Sequence, residues 1–261
     1  MPTTAFTDET EKSTATPAII LAVVAILVAL LMVKFGLQTI TWIEGKMWAA
    51  QSPWIKVVPQ ALPAPNAPVK GQIVRAFDFQ VSSPWPGNPK PKPQETNVAF
   101  QYDTGQVLVF FDPGTQIDTL HAIQSSNPLE FQKFSNVFLG TPIGSNFELY
   151  GNVYGASPDR LSPFMNSAEA VRINALLLWK LSFGEDLPCA GQFYSFDWKD
   201  IHGFQFGDPA KGRPVAVRAF DDRSHQFRFI LTAVNGENGK ITQDDINQIL
   251  QTIQPTPFED R

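Results

Sequence analysis

The chain has 261 residues, of which 22 are proline and 21 are phenylalanine, and 17 % of its residues are charged. This composition favours a folded, loop-rich domain with an aromatic interior over a disordered chain. The formal net charge of −5 argues against nucleic acid as a partner, because phosphate binding needs clustered Lys and Arg.

The first predicted element is an apolar run, Ala18–Val33, that contains no charged or polar side chain. With the apolar residues just beyond it, the run reaches the roughly 20 residues that a membrane-spanning helix needs, and Lys34 can extend its ammonium toward head groups. We predict one transmembrane helix over about Pro17–Ile43, preceded by a flexible tail of residues 1–16. A cleaved signal peptide is the alternative, but an acidic tail and the lack of a nearby Ala-x-Ala site favour an uncleaved anchor.

Small residues recur along one face of this helix. Small side chains let two helices approach closely in lipid, so this face predicts a contact with another transmembrane helix, either a second copy or a different subunit. The alternative is that alanine is simply common in membrane helices. The predicted packing face consists of Ala18, Ala22, Ala25, Ala29 and Gly36.

Aromatic and basic residues follow the span. Trp42, Trp48, Trp54 and Lys46 are typical of the membrane–water interface, and we expect an interfacial extension of the helix up to residue 52. Basic residues are more numerous after the span than before it, which favours a cytoplasmic domain. The short tail, the tryptophans on one side and the proline-rich spacer favour an extracytoplasmic soluble domain, which is our prediction.

A proline-rich stretch, residues 53–70, predicts an extended spacer that lifts the domain from the membrane surface. The soluble domain is predicted over residues 71–255, with a C-terminal tail over residues 256–261. A short amphipathic helix is predicted at Phe131, Phe134 and Phe138. The strands predicted in the first half of the domain are Ile73–Val81, Val98–Tyr102, Val107–Phe111 and Phe147–Tyr154.

The second half of the domain is predicted to alternate helix, strands and helix. Asn166 and Glu169 form an N-cap signature before a helix that is apolar on most faces. The last three strand candidates predict an antiparallel meander. The final helix begins at a capping-box pair, Thr242 and Asp245, and ends before Pro255. The strand candidates are Gln192–Trp198, Gly203–Phe206, Pro214–Phe220 and Gln226–Ala233.

Acidic residues surround one of the three histidines. Asp197, Asp200 and His202 could hold a divalent metal that activates water, but their spacing matches no metal-ligand motif and aspartates near turns are common. No catalytic residue and no cofactor is predicted. The chain has no nucleophile elbow, Walker-type loop, dinucleotide fingerprint or zinc-protease pair, which disfavours an enzyme without excluding one.

The order of elements predicts an α+β fold: an N-terminal single transmembrane helix followed by an antiparallel sheet packed with helices. Two stretches carry a likeness to a known fold, namely FFDPG from Phe110 to Gly114 and the closing strand and helix, HQFRFILTA and ITQDDINQILQTI. Over Asn97–Pro255 the pattern resembles the PsbP-like fold. The resemblance implies a non-catalytic accessory or assembly role at a membrane complex, and it carries over no functional residues.

We therefore expect a single-pass membrane protein whose soluble domain and alanine-lined helix bind other membrane components. The expected partners are the bilayer and another transmembrane helix, and no nucleic acid. A membrane-tethered metal-dependent hydrolase is the second interpretation, and a small-ligand or lipid-binding domain is the third. Bound metal would favour the second and an enclosed apolar cavity the third, because a fold alone does not decide function.

Overall fold

The computed structural model describes residues 15–64, 71–112, 143–182, 192–198, 200–223, 225–233 and 239–256, with the single positions 125, 129, 131, 132 and 135. The chain has an α+β fold with one N-terminal helix that is a candidate membrane span. The predicted tail up to residue 14, the last third of the spacer (residues 65–70), most of the predicted phenylalanine helix and the predicted C-terminal tail beyond residue 256 lie outside the described residues.

The helices in the described part of the chain are α1 (Ala15–Gln51), α2 (Asn146–Gly155), α3 (Ser167–Ser182) and α4 (Gln243–Gln251). The side chains of Ser145, Asn166 and Thr242 cap α2, α3 and α4 by accepting a backbone N–H of the first turn. The predicted capping box of α4 is present, with Asp245 accepting the backbone N–H of Thr242 at 2.8 Å. The predicted helices α3 and α4 are confirmed.

The strands are β1 (Gln60–Ala61), β2 (Gln72–Ala76), β3 (Phe79–Ser83), β4 (Pro91–Pro93), β5 (Asn97–Gln101), β6 (Gln106–Phe111), β7 (Phe193–Trp198), β8 (Ile201–Phe206), β9 (Val215–Asp221), β10 (Gln226–Ala233) and β11 (Gln254–Pro255). They form an eight-stranded sheet, in the order β1-β7-β8-β9-β10-β6-β5-β4, and a three-stranded sheet, β11-β3-β2. Neighbouring strands are antiparallel except for the parallel pair β1 and β7. The predicted meander is confirmed, and β7 extends it by one strand.

The eight-stranded sheet is the middle layer of the domain and has a core on each face. One core, the strand-side core, joins residues such as Val217 and Phe229 to the smaller sheet and α4. The other, the helix-side core, joins Phe204, Phe206 and Phe220 to α1, α2 and α3. Successive side chains along a strand point to opposite faces of the sheet, so the residues of one strand alternate between the two cores.

The predicted strand Phe147–Tyr154 is wrong, because this segment is helix α2. Phe, Tyr and Val favour strands, but Ser145 caps the segment by accepting the N–H of Glu148. Leu149 and Val153 are fully buried one helical turn apart, so helical spacing buries the apolar residues in the helix-side core.

The predicted single strand Ile73–Val81 is also wrong, because the chain reverses within it. Strands β2 and β3 pair as a hairpin, with Ala76 opposite Phe79. The turn places Phe77 at a φ of 54°, in the left-handed region that non-glycine residues seldom adopt. No Gly or Asn marks the turn, and Asp78 is its single turn-forming residue, so the local signal for the reversal is weak.

The first part of the proline-rich stretch is not a spacer. Pro53–Lys56 forms a short 3-10 helix whose Ile55 is fully buried in the helix-side core. β1 then pairs with β7, and Leu62 donates its N–H to the Ser195 carbonyl at 2.7 Å. Residues 53–64 therefore belong to the domain and do not lift it from a surface.

Candidate functional site

Helix α1 has an apolar first part that the rest of the described chain does not cover. From Val23 to Lys34 every residue is exposed, and apolar surface of this extent is unfavourable in water. A helix within Val23–Gln51 is long and apolar enough to cross a membrane. The protein thus has one N-terminal candidate membrane-spanning or signal-anchor helix.

The second part of α1 packs on the soluble domain. Gln38, Thr41 and Ala49 are buried and recur at helical spacing, so one face of α1 lies against the domain. Glu44 accepts a hydrogen bond from the Asn174 amide of α3 at 3.0 Å. At Gly45, a Cβ would lie 2.4 Å from Cδ1 of Leu161, so a larger residue here would displace the Leu161 side chain. Helix α1 is therefore part of the domain as well as its extension.

The predicted packing face of α1 points away from the domain. Ala25 and Ala29 are exposed, and no described atom lies within 4 Å of a Cβ built on Gly36. Gly36 and the buried Gln38 are two residues apart, which at about 100° per residue puts them on opposite sides of the helix. Ala18 and Ala22 lie on the same helix in register with this face.

The same face continues beyond the apolar run. Ile40, Ile43 and Met47 follow Gly36 at helical spacing and are 55 %, 46 % and 54 % exposed. We call the face formed by Ala25, Ala29, Gly36, Ile40, Ile43 and Met47 the α1 stripe. The α1 stripe runs from the candidate span to the level of the soluble domain and is uncovered by the described part of the chain.

The three tryptophans after the span contact the domain. Trp42, Trp48 and Trp54 are partly buried against the helix-side core. Lys46 is exposed, and its Nζ lies 3.7 Å from Oδ1 of Asp159. These contacts give each tryptophan a packing role, and a position at the membrane interface stays a prediction for them.

Lys180 is a fully buried lysine at the junction of α1, α2 and α3. Its Nζ donates hydrogen bonds to the carbonyl oxygens of Val57, Tyr154 and Ala156 at 2.7, 2.8 and 2.7 Å. Burial lowers the pKa of Lys180 to about 7. Three carbonyl acceptors match the three N–H groups of an ammonium, and the C-terminal end of α2 also favours a cation. The bonds tie the chain after α1 to α2 and α3.

His202 of β8 is held between two carboxylates. Its Nδ1 lies 2.5 Å from Oδ1 of Asp197, and its Nε2 lies 3.0 Å from Oδ1 of Asp222. The ring also stacks on Phe147 of α2, with centroids 5.3 Å apart. Burial alone would lower the pKa of His202, but hydrogen bonds to Asp222 and Asp197 and their charges raise it above the ordinary value. Only the protonated ring can donate to both carboxylates at once.

This geometry bears on the predicted metal candidates. The structure brings Asp197 and His202 together, but both ring nitrogens of His202 already lie within hydrogen-bond distance of a carboxylate, of Asp197 or of Asp222. Asp200 lies beside them at the rim of a cleft of about 1110 Å³ that is also lined by Trp198 and Ile253. In the described residues, no group of three or more His, Cys, Asp or Glu side chains is placed to hold a metal ion.

Sequence reasoning missed two features of these sites. Asp222, the second partner of His202, lies 20 residues away along the chain, and no spacing motif connects the two. The signal for Lys180 was available, because a lone lysine in the apolar run LLLWKL of α3 is unusual. Its carbonyl partners were not predictable, since Val57 is 123 residues away.

No protein-family model, curated protein or solved structure matches this chain. The fold and helix α1 alone therefore define its class. It is an α+β domain joined without a break to one N-terminal helix that is apolar enough to cross a membrane.

Proposed function

We propose that this protein is a single-pass, membrane-anchored, non-catalytic accessory or assembly protein whose soluble domain and helix α1 bind other membrane components. The observation that carries the proposal is the direction of the α1 stripe. Its small residues face away from the domain, so they are accessible to another helix.

The two parts of the α1 stripe suit two environments. In lipid, Ala25, Ala29 and Gly36 allow close backbone approach, which replaces the missing hydrophobic drive between membrane helices. Beyond the hydrocarbon, Ile40, Ile43 and Met47 offer apolar area whose burial against a partner is favourable in water. A partner that follows the stripe would bind both parts.

The rigid attachment of α1 supports a positioning role. Gln38, Thr41 and Ala49 fix the helix to the domain, so a partner bound to the α1 stripe also holds the domain at a defined place. Catalysis finds less support, because His202 is engaged by two carboxylates and Lys180 is fully buried.

The proposal includes an extracytoplasmic soluble domain. It is supported by the tryptophans clustered after the apolar run. A membrane-impermeant thiol reagent applied to intact cells should label an Asp103→Cys variant made in a Cys189→Ser background, because Asp103 is exposed. Labelling only after the cells are opened would contradict this orientation.

Extraction of the full chain from its membranes in mild detergent tests the function. We expect migration in a defined larger complex, and Ala25→Leu with Ala29→Leu should shift the protein toward its monomeric size, because bulk on the stripe prevents close helix approach. The control is Val24→Leu with Leu31→Phe, which adds bulk on the opposite face of α1. Migration of the unmodified chain as a monomer, or equal behaviour of both variants, would contradict the proposal.

A further inference from the structure

The loop that joins α2 to α3 runs along α1 toward the candidate span. Its start lies near the C-terminal end of α1, where Asp159 is 3.7 Å from Lys46 and Leu161 packs at Gly45. Its tip lies much nearer the N-terminus of α1, because the ring of Phe164 is 6.0 Å from the ring of Phe35. Ten residues separate Phe35 from Gly45, so the loop follows α1 for about 15 Å.

The tip of this loop is an ordered turn that presents one large aromatic side chain. Met165 donates its N–H to the Ser162 carbonyl at 3.3 Å, and Phe164 donates its N–H to the Ser162 hydroxyl at 3.3 Å. Phe164 is 79 % exposed. Asn166 then caps α3, which runs back beside α1 away from the span.

Phe164 lies beside the end of the apolar run of α1. Val33 is 87 % exposed, and the Nζ of Lys34 lies 5.4 Å from the centre of the Phe35 ring. Because α1 is fixed to the domain, the depth of Phe164 relative to the span is fixed as well. It lies level with Phe35, where apolar helix surface gives way to the first charged residue.

We infer that the turn Ser162–Met165 inserts Phe164 into the interfacial region of the same bilayer that holds α1. This inference rests on the membrane anchor of the proposed function and adds a second lipid contact to it. Aromatic rings are stable at that depth, and the exposed ring is continuous with the exposed apolar surface of α1. Phe35 and Gly36 are about a quarter turn apart on the helix, so the lipid contact leaves the α1 stripe accessible.

Lipid-dependent quenching of a fluorescent label tests the inference. The full chain, in a Cys189→Ser background, is labelled with an environment-sensitive fluorophore at a single introduced cysteine and reconstituted into phosphatidylcholine–phosphatidylglycerol vesicles that contain lipids spin-labelled near the head group and lipids spin-labelled in the acyl chain. The positions are Phe164→Cys, Val28→Cys in the candidate span, and Leu178→Cys. Leu178 is a matched control, because it is apolar and 50 % exposed but lies about 16 Å along α3 from its start.

We expect strong quenching at Phe164→Cys and Val28→Cys and several-fold weaker quenching at Leu178→Cys. Quenching at Val28→Cys with none at Phe164→Cys would overturn the inference and leave the anchor intact. A label at Phe164→Cys that is shielded from water but not quenched by lipid would also overturn it, since protein would then cover the turn. No quenching at Val28→Cys would overturn the membrane anchor itself.

Discussion

At the residue scale, Lys180 is the side chain on which the junction of three helices depends. Its Nζ satisfies the carbonyl groups of Val57, Tyr154 and Ala156. In Lys180→Met these acceptors lose their donor, and each unsatisfied buried group costs about 1–3 kcal/mol. We therefore expect the free energy of unfolding to fall by at least about 3 kcal/mol, measured by chemical denaturation of the full chain in detergent.

The control for this prediction is Lys211→Met. Lys211 has an exposed side chain, and its Nζ lies 3.9 Å from Oδ2 of Asp208, so its removal should change stability by less than about 0.5 kcal/mol. Equal stability of the two variants would show that the Lys180 hydrogen bonds contribute little.

His202 makes the stability of the domain depend on pH. Its pKa is raised in the folded protein, so its contribution is full below the unfolded pKa of about 6.5 and is lost as pH rises through the folded pKa. We expect the unfolding free energy of the unmodified chain, relative to that of His202→Asn, to decrease as the pH rises above about 6.5. Chemical denaturation at pH values about one unit apart measures this decrease. Lys180 is present in both proteins, so its contribution cancels in the comparison. Its lowered pKa makes stability rise with pH above about 7.

His202→Asn is the reference for this experiment, because it removes the imidazole and keeps the carboxylates of Asp197 and Asp222. A difference in unfolding free energy between the unmodified chain and His202→Asn that is constant with pH would contradict the raised pKa of His202.

At the element scale, the two glycines of α1 lie on different faces of the helix. Gly45 packs on the domain, and Gly36 belongs to the α1 stripe proposed to bind a partner. A Cβ at Gly45 would lie 2.4 Å from Cδ1 of Leu161, whereas none of the described atoms is within 4 Å of one at Gly36. We expect Gly45→Leu to destabilise the domain by about 1–3 kcal/mol through overpacking. Gly36→Leu should not lower the unfolding temperature, and it should weaken partner association.

The comparison is matched because both changes bring the same gain in helix propensity. Thermal unfolding of both variants in the same detergent measures the difference. Similar unfolding temperatures would mean that α1 does not need its close contact with Leu161.

The elements that the sequence predicted correctly are those whose signals are local. Thr242 and Asp245 mark α4 within four residues, and Asn166 marks α3. Ser145 and Glu148 provide the same kind of signal for α2, but the aromatic residues between them favoured a strand. β1 had no local signal, because a strand of two residues exists only through its pairing with β7 far along the chain.

The candidate site was predictable on one side of α1 only. The apolar run and the small residues identified the exposed face. The face against the domain includes Gln38 and Thr41, which donate within the helix to the carbonyl groups of Lys34 and Gln38 at 3.1 and 3.0 Å, while the buried Oε1 of Gln38 has no partner among the described residues. Hydropathy alone would have assigned the more polar face to solvent, so the docking of α1 required the tertiary structure.

At the scale of the whole molecule, the boundary between anchor and domain lies inside α1. Removal of residues 1–34 takes away the exposed apolar run and leaves the packed part of the helix. We expect this shorter protein to be soluble without detergent and to unfold cooperatively. Removal of residues 1–52 should cause aggregation, because it strips Ala49, Trp42 and Trp48 from the helix-side core and exposes apolar surface.

Size-exclusion chromatography and thermal unfolding of both truncated proteins measure this boundary. If the protein lacking residues 1–52 were monomeric and as stable as the longer one, α1 would be a removable tether and not part of the domain.

The continuity of α1 has a mechanical consequence. One unbroken helix of 37 residues reaches from the candidate span to the far side of its contact with α3, so the angle of the helix in the bilayer is also the angle of the domain above it. Membranes of different thickness change helix tilt, and a change of about 20° displaces a point about 30 Å from the pivot by about 10 Å. The domain would thus act as a lever whose outer end moves with the thickness of the membrane beneath it.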